Sequence, residues 1–197
     1  MRPRQFLSVL LLGVSVSACG YNKIQALDER TDELKSNIGV ELTNRNNLIP
    51  NLVKTVEGAA QFEKSTYTGV AQARAGLQQA QQQVSSAVQG GNPQQMAGAE
   101  AALNRQIGTY LNIAVEAYPQ LRAQQNFQGL QDQLTESENR IAVARRDYNE
   151  AVREYNTYIR KFPAAITAKV TSAERKEPYQ APSGSEAPPQ VDFGTGK

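Results

Sequence analysis

The chain has 197 residues, of which 40% are hydrophobic, and it contains no tryptophan. Its formal net charge of +2 includes Arg2 and Arg4 in an N-terminal segment predicted to be removed, so the mature protein lacks the basic excess typical of nucleic-acid binders. It has no histidine and a single cysteine, Cys19. These absences exclude an internal disulfide, a Cys-based zinc site and histidine-dependent catalysis. We therefore expect no catalytic residue, metal site, cofactor or nucleic-acid partner.

Residues 1–18 have the layout of a bacterial lipoprotein signal peptide. Arginines precede an apolar run from Phe6 to Val16, which is shorter than the roughly 18 to 20 residues that cross a bilayer as a helix. The run ends in a lipobox-like sequence, made of Val16, Ser17, Ala18 and Cys19. The lipobox resemblance implies cleavage before Cys19, thioether lipidation of its thiol and acylation, as by palmitate, of the new N-terminus. The alternative is a chance cysteine in an uncleaved signal-anchor helix.

A lipidated Cys19 predicts an exported, membrane-anchored protein with residues 19–22 as its tether. Two or three acyl chains give stable attachment where one chain gives marginal binding. Gly20 stands where an Asp commonly signals retention in the inner membrane of Gram-negative bacteria. In such a cell we expect the periplasmic face of the outer membrane.

Apolar residues at alternating spacings of three and four predict long amphipathic helices in the mature chain. The first stripe is Ile24, Leu27, Thr31, Leu34, Ile38 and Leu42. Pro50 predicts a kink or short break after this helix, because proline lacks an N–H and clashes with the carbonyl of Asn46. A second run reaches Val88, and the turn at residues 90–93, Gly-Gly-Asn-Pro, predicts a hairpin into a third helix.

The third helix is predicted to end before Pro119, because a residue that precedes proline avoids helical geometry. The stretch from Leu121 to Phe162 has a heptad-like pattern, as in a coiled coil, and predicts a helix about 60 Å long. Such a rod needs partners of similar length, which predicts an all-α fold, an elongated antiparallel bundle of three to four long helices over residues 23–170. Residues 171–197, rich in Pro, Ser and Gly, are predicted to be a disordered tail.

Three groups of residues resemble motifs of the LemA family. They are Tyr21-Asn22, then Leu48, Ile49, Pro50, Asn51, Leu52 and Val53, and finally Tyr118, Pro119, Asn126, Phe127, Tyr148, Asn149, Tyr155, Asn156, Phe162 and Pro163. The resemblance covers roughly residues 21–170 and implies an all-α bundle, membrane association and no established enzymatic activity. The chain departs from the family pattern in its lipobox, in Asn47 where an acidic residue is common, and in its Pro-rich ending.

Two motif regions allow a binding or a packing interpretation. The pairs Tyr148-Asn149 and Tyr155-Asn156 lie seven residues apart and could bind a ligand. We favour packing, with the rings in the helix seam and the hydroxyls and asparagines bonded to neighbouring helices. Leu48 to Val53 could form a recognition surface or redirect the first helix onto the bundle, and the sequence does not separate these two.

Most carboxylates are predicted to be solvated because they fall outside the apolar stripes. This group comprises Glu57, Glu100, Glu116, Asp132, Glu136, Glu138 and Glu154. Glu136 and Arg140 have the spacing of a surface ion pair. Glu63, Arg74 and Gln81 fall within a stripe, which would allow a polar network inside the bundle.

These observations favour a non-enzymatic, membrane-anchored helical scaffold or adaptor in the cell envelope. Its partners would be the membrane, through the acyl chains, and an envelope protein or a second copy of the chain. The alternative is a carrier or chaperone-like lipoprotein that binds lipid or unfolded chains along an apolar groove. A hydrolase that uses a carboxylate pair ranks third.

Overall fold

The computed structural model describes the backbone of residues 3–60 and 68–180 and the side chains of residues 20–59 and 68–180. All regular secondary structure within these ranges is helical, which confirms the predicted all-α class. The helices are α1 (Pro3–Asn46), α2 (Ile49–Ala60), α3 (Thr68–Gly90), α4 (Pro93–Ala117), a 3-10 helix (Pro119–Ala123), α5 (Gln125–Tyr158) and α6 (Ala164–Val170). Within the described residues, no helix combines the length and the apolar character that crossing a bilayer requires.

The chain divides into two compact units. Unit 1 comprises Met1–Ser36 and Arg145–Pro178, and unit 2 comprises Asn37–Ala144 and Tyr179–Lys197. Helices α1 and α5 therefore each contribute residues to both units.

The predicted break near Pro50 is confirmed in unit 2. Helix α1 ends at Asn46, two turn residues follow, and α2 begins at Ile49. Pro50 lies in the first turn of α2, where its missing N–H removes no intrahelical hydrogen bond. The backbone N–H of Leu48 donates to the Arg45 carbonyl at 3.0 Å and closes the last turn before the break.

The predicted hairpin at residues 90–93 is also confirmed. Gly91 has a φ of +64°, in the left-handed region that glycine adopts without steric cost. Asn92 caps α4, since its side chain accepts a hydrogen bond from the N–H of Gln95 at 3.0 Å, and Pro93 occupies the first helical position. Helices α3 and α4 consequently pack side by side as an antiparallel pair.

The core of unit 2 includes residues from the predicted stripes. Buried members of the stripes include Ile38, Leu42, Val56, Leu77, Val84, Leu103, Ile107, Phe127, Leu134 and Ile141. Leu52, which belonged to no predicted stripe, is buried as well. Burial of each such side chain contributes about 1.5–3 kcal/mol relative to exposure. The stripes therefore mark the packed faces of these helices.

The last long helix is shorter than predicted. Residues 119–123 form a separate 3-10 turn, Gln124 is extended, and α5 begins at Gln125 and ends at Tyr158. The stretch from Leu121 to Phe162 is therefore not one helix. Phe162, predicted to lie in the seam, is 84% exposed, because it precedes Pro163 and such a residue is displaced from helical geometry.

In unit 1, α6 packs on the parts of α1 and α5 that belong to this unit. One buried cluster joins these helices. It contains Ile24 and Leu27 of α1, Tyr155 of α5, Ile159 just after α5, and Ala168 of α6. The backbone N–H of Ala173 donates to the Ala168 carbonyl at 2.9 Å and ends α6.

The sequence analysis placed the start of the tail too early in the chain. Residues 171–180, assigned to it from composition, form a turn followed by a stretch without regular secondary structure that bonds helix side chains, and Tyr179 is buried. Composition alone did not reveal that a few polar side chains hold this stretch. The rest of the predicted tail, residues 181–197, lies outside the described residues.

Candidate functional site

The predicted lipidation site lies at the N-terminal part of α1. The backbone of Val16, Ser17, Ala18 and Cys19 is helical, and their side chains lie outside the described part of the chain. Acylation of Cys19 thus stays a prediction. Gly20 is described and lies against α6, since a Cβ on Gly20 would be 3.4 Å from Oγ1 of Thr167.

The motif from Leu48 to Val53 has buried and exposed members. Ile49, Leu52 and Val53 are buried in the core, Leu48 is half-buried, and Pro50 and Asn51 are exposed. The buried apolar members of the motif thus pack α2 into the core of unit 2, while its exposed residues remain open to either interpretation.

The carbonyl of Asn46, which Pro50 cannot bond, is paired with α3. It accepts a hydrogen bond from Nε2 of Gln81 at 3.1 Å, and Nδ2 of Asn46 donates to the Gln81 carbonyl at 3.4 Å. The side-chain amide of Gln81 thus replaces the N–H that Pro50 lacks as the hydrogen-bond donor to the Asn46 carbonyl. This pairing favours packing over recognition for the residues around Asn46.

The polar residues predicted within the second stripe have separate partners. Arg74 forms an ion pair with Glu57, with both side chains nearly half exposed, and Gln81 bonds Asn46. Glu63 lies outside the described residues. Arg74 and Gln81 are therefore not joined in one internal network.

A buried polar cluster, composed of Arg45, Asn104 and Glu138, lies instead between α1, α4 and α5. Arg45 is fully buried and forms an ion pair with Glu138. Nδ2 of Asn104 donates to Oε2 of Glu138 at 3.3 Å. The prediction that Glu138 is solvated is wrong, because Glu138 faces a cation that is itself removed from water.

A second carboxylate predicted to be solvated is also buried. Glu100 of α4 accepts a hydrogen bond at 2.5 Å from the hydroxyl of Tyr179, which is buried as well. By contrast, the predicted surface pair of Glu136 and Arg140 is confirmed, with Nε 3.1 Å from Oε1 and both side chains exposed.

The spacing of the stripes contained a signal for these buried charges. Arg45 follows Leu42 by three residues and continues the first stripe. Glu138 lies four residues after Leu134 and three before Ile141. Sequence analysis missed them because charged residues are almost never fully buried unless they are paired, and the pairing is not visible from one helix.

The buried polar groups described above bond other parts of the chain. In the described ranges, no three His, Cys, Asp or Glu side chains are placed to hold a metal ion. Tyr110 of α4 is fully buried, and its hydroxyl has no hydrogen-bond partner among the described residues. Burial, reinforced by the nearby Glu57 carboxylate, raises the pKa of Tyr110 far above its usual value, so this phenol stays protonated.

In unit 1 the Tyr-Asn motifs hold Lys176, a residue of the predicted tail. Nζ of Lys176 lies 2.9 Å from Oδ1 of Asp28 and 2.9 Å from Oδ1 of Asp32. It also stands 5.7 Å from the ring centroid of Tyr155, within the range of a cation–π contact. We call Asp28, Asp32, Tyr148, Tyr155 and Asn156 the Lys176 cleft.

The cleft also holds the backbone of this segment. Nδ2 of Asn156 donates to the Lys176 carbonyl at 2.8 Å, and Oδ1 accepts from the Lys176 N–H at 2.9 Å. The Tyr148 hydroxyl donates to the Glu177 carbonyl at 2.9 Å. The rings of Tyr148 and Tyr155 are buried as predicted, but the Tyr148 hydroxyl and the Asn156 amide bond a non-helical segment and not a neighbouring helix.

The charges of the cleft alter each other's pKa values. Burial acts to raise the pKa of Asp32, but hydrogen bonds from Lys176 and Lys35 outweigh it and lower this pKa. Burial acts to lower the pKa of Lys176, whereas hydrogen bonds to Asp32 and Asp28 raise it overall. Burial raises the pKa of both Tyr148 and Tyr155. All these groups therefore keep their ordinary charges near neutral pH.

The other predicted motif residues divide between core and surface. Tyr118 and Phe127 are buried, and Asn149 is half-buried. Pro119, Asn126, Phe162 and Pro163 are exposed. The predicted end of α4 before Pro119 is confirmed, since Tyr118 has a φ of −133° and a ψ of 78°, outside helical geometry.

Comparison with known proteins agrees with the motifs. A sequence model described as the LemA family matches residues 34–193. Magnetosome proteins MamQ 1 and MamQ 2 of Paramagnetospirillum magneticum (strain AMB-1) are each 29% identical to the chain over 186 residues, which is 85% of this chain and 67% of the relative. Magnetosome protein MamQ of Magnetospirillum gryphiswaldense (strain MSR-1) is 26% identical over 190 residues, with 87% and 70% covered. Because the family match includes most of the chain and nearly all the quoted motifs, this protein belongs to the LemA family.

Proposed function

We propose that this LemA family protein is a membrane-anchored lipoprotein that acts as a non-enzymatic scaffold or adaptor in the cell envelope. The observation that carries the proposal is the Lys176 cleft, in which helix side chains hold a non-helical segment by its backbone and by one lysine. Helices that hold a segment in this way have the hydrogen-bonding groups for protein recognition. The relatives named as magnetosome proteins are in keeping with an assembly role.

Attachment to the membrane rests on Cys19 and the residues before it. The order of arginines, apolar run, small residues and cysteine is that of an exported lipoprotein. Export would place the protein on the outer side of the inner membrane or, in a Gram-negative cell, on the periplasmic face of the outer membrane. A diacylated or triacylated cysteine binds the bilayer stably, at about 0.8 kcal/mol for each buried CH₂ group.

Mass spectrometry of the native protein, with Cys19→Ser as the matched variant, tests the anchor. We expect the native chain to begin at an acylated Cys19 and to sediment with membranes, and the variant to keep its leader and lack the modification. An unmodified thiol in a chain that still carries Met1 would overturn the anchor.

Crosslinking of the lipidated protein in its native envelope, followed by purification, tests the adaptor role. A stoichiometric protein partner, or a second copy of the chain, is the expected result. Loss of the crosslink in an Asn156→Ala variant that remains folded would connect it to the cleft. Purification without any protein partner would contradict the adaptor role.

One observation favours the second function, a carrier of lipid or unfolded chains. Phe162 and Val170 of unit 1 are 84% and 81% exposed, and a group of exposed apolar side chains can serve as a contact surface for apolar ligands. Co-purification of lipid or of a peptide mixture, in place of a defined protein, would support the carrier function.

A further inference from the structure

The segment that contains α6 has apolar side chains that no described residue covers. Ile166 and Val170 of α6 are 60% and 81% exposed, and residues four apart lie on the same side of a helix. Phe162, just before the helix, is 84% exposed. The opposite side of α6 packs inward through Ala164 and Ala168, which are buried. We call Phe162, Ile166 and Val170 the α6 apolar surface.

The α6 apolar surface lies beside the chain's attachment point. Thr167 of α6 is in contact range of Gly20, since a Cβ there would lie 3.4 Å from its Oγ1. Gly20 directly follows Cys19. An acyl chain on Cys19 would therefore enter the bilayer next to α6, because a single peptide unit separates the two residues.

The charges within the stretch that contains α6 suit a lipid surface. The stretch from Asn156 to Ala173 contains Arg160, Lys161 and Lys169 and no acidic residue. All three cations are exposed. Basic residues next to exposed apolar ones are typical of helices that lie in the interface of an anionic bilayer.

We propose that the α6 apolar surface inserts into the interface of the membrane to which Cys19 is anchored. This inference rests on the proposed lipidation and adds a second contact that orients unit 1 on the bilayer. Three side chains suffice for this insertion because the acylated Cys19 already holds them at the membrane surface. Their high effective concentration there replaces the affinity that a larger apolar surface would supply. The carrier function, by contrast, does not require the apolar side chains to lie next to the lipid anchor.

The absence of tryptophan from the chain allows a direct test. Phe162→Trp and, separately, Val170→Trp are introduced into the full lipidated protein, reconstituted in vesicles of phosphatidylethanolamine and phosphatidylglycerol. The matched control is Val143→Trp, because Val143 of α5 is also exposed but has only polar residues at positions 139, 140, 146 and 147 around it. Fluorescence emission and its quenching by lipids brominated along the acyl chain are measured.

We expect the emission of Phe162→Trp and of Val170→Trp to shift to shorter wavelength and to be quenched on reconstitution. The emission of Val143→Trp should stay that of a solvated indole. Unshifted and unquenched emission from Phe162→Trp and Val170→Trp, in protein that floats with the vesicles and has the mass of the acylated form, would overturn the inference alone. Absence of the acyl mass would instead refute the proposed lipidation.

Discussion

Arg45, at the end of α1, forms an ion pair with Glu138 of α5, which lies 93 residues further along the chain. Asn104 of α4 donates to the same carboxylate oxygen at 3.3 Å. Three helices are thus connected through one buried anion. A buried ion pair is strongly sensitive to the removal of one member, because the other member then loses a charged partner while it remains buried.

Glu138→Ala should therefore lower the free energy of unfolding by about 3–5 kcal/mol. The matched control is Glu136→Ala, two residues away on the same helix, whose ion pair with Arg140 is exposed and should contribute less than about 1 kcal/mol. Urea unfolding followed by circular dichroism measures both. Equal effects of the two substitutions would contradict a special role for the buried pair.

A double substitution, Arg45→Met with Glu138→Leu, tests whether the pair is needed for stability. Replacing both charges by apolar groups of similar volume is often neutral or stabilising by about 1–4 kcal/mol relative to the ion pair. We expect the double variant to be more stable than Glu138→Ala. A double variant that is less stable than Glu138→Ala would indicate that the polar cluster contributes more than charge compensation.

Tyr155→Ala should lower the melting temperature, since Tyr155 is buried among Ile24, Leu27 and Ile159. Removing an aromatic ring from a packed core costs about 3–5 kcal/mol. Phe162→Ala is the control, because its ring is exposed and its removal should change stability by less than about 0.5 kcal/mol. Unchanged stability of Tyr155→Ala together with lost partner binding would support the ligand interpretation of the Tyr-Asn motif.

Two glycine substitutions should have opposite effects. Gly91→Ala should destabilise the protein by about 1–2 kcal/mol, because φ is +64° at this position and a Cβ is strained there. Gly98→Ala, inside α4, should stabilise it by about 0.5–1 kcal/mol, because a Cβ there meets no atom within 4 Å and alanine favours the helix. Thermal unfolding followed by circular dichroism measures both. A stabilising effect of Gly91→Ala would contradict the geometry of the hairpin, and a destabilising effect of Gly98→Ala would contradict the open space at that position.

The contact of Lys176 with Asp28 and Asp32 should depend on pH at both extremes. The pKa of Asp32 is held below its usual 3.8, so its contribution is present above pH 3.8 and is lost as pH falls through the lowered value. The pKa of Lys176 is raised above 10.5, so its contribution is present below pH 10.5 and is lost as pH rises through the raised value. Lys35, 3.1 Å from Asp32, is the other cation that faces this site.

The difference in stability between the native chain and Lys176→Met should therefore be largest from about pH 5 to pH 9 and should shrink outside this range. We expect it to reach about 1 kcal/mol, because the site is partly open to solvent. Lys54→Met, at an exposed position of α2, is the control and should show little difference at any pH. A difference that is the same at about pH 2 and about pH 7 would show that the lysine contributes through packing and not through its charge.

The positions of the helices and of their breaks were largely predictable from the sequence. Pro50 and Pro119 interrupt helices because they lack an N–H and restrict the preceding residue. Gly91 and Asn92 form the hairpin because they adopt the turn and cap geometry locally. Each of these effects acts within about one helical turn, so it is visible in a short stretch of chain.

The sequence by itself thus determined the all-α class, the apolar faces and the hairpin, and it contains the motif residues of the LemA family. Only the tertiary structure decided which charged residues are buried and where the predicted tail is attached. Glu138 is buried whereas Glu136 is exposed, because Glu138 pairs with the buried Arg45. Lys176 is held by Asp32, 144 residues away. The physical reason is that the energy of a charge depends on what surrounds it in space, and these surroundings come from distant parts of the chain.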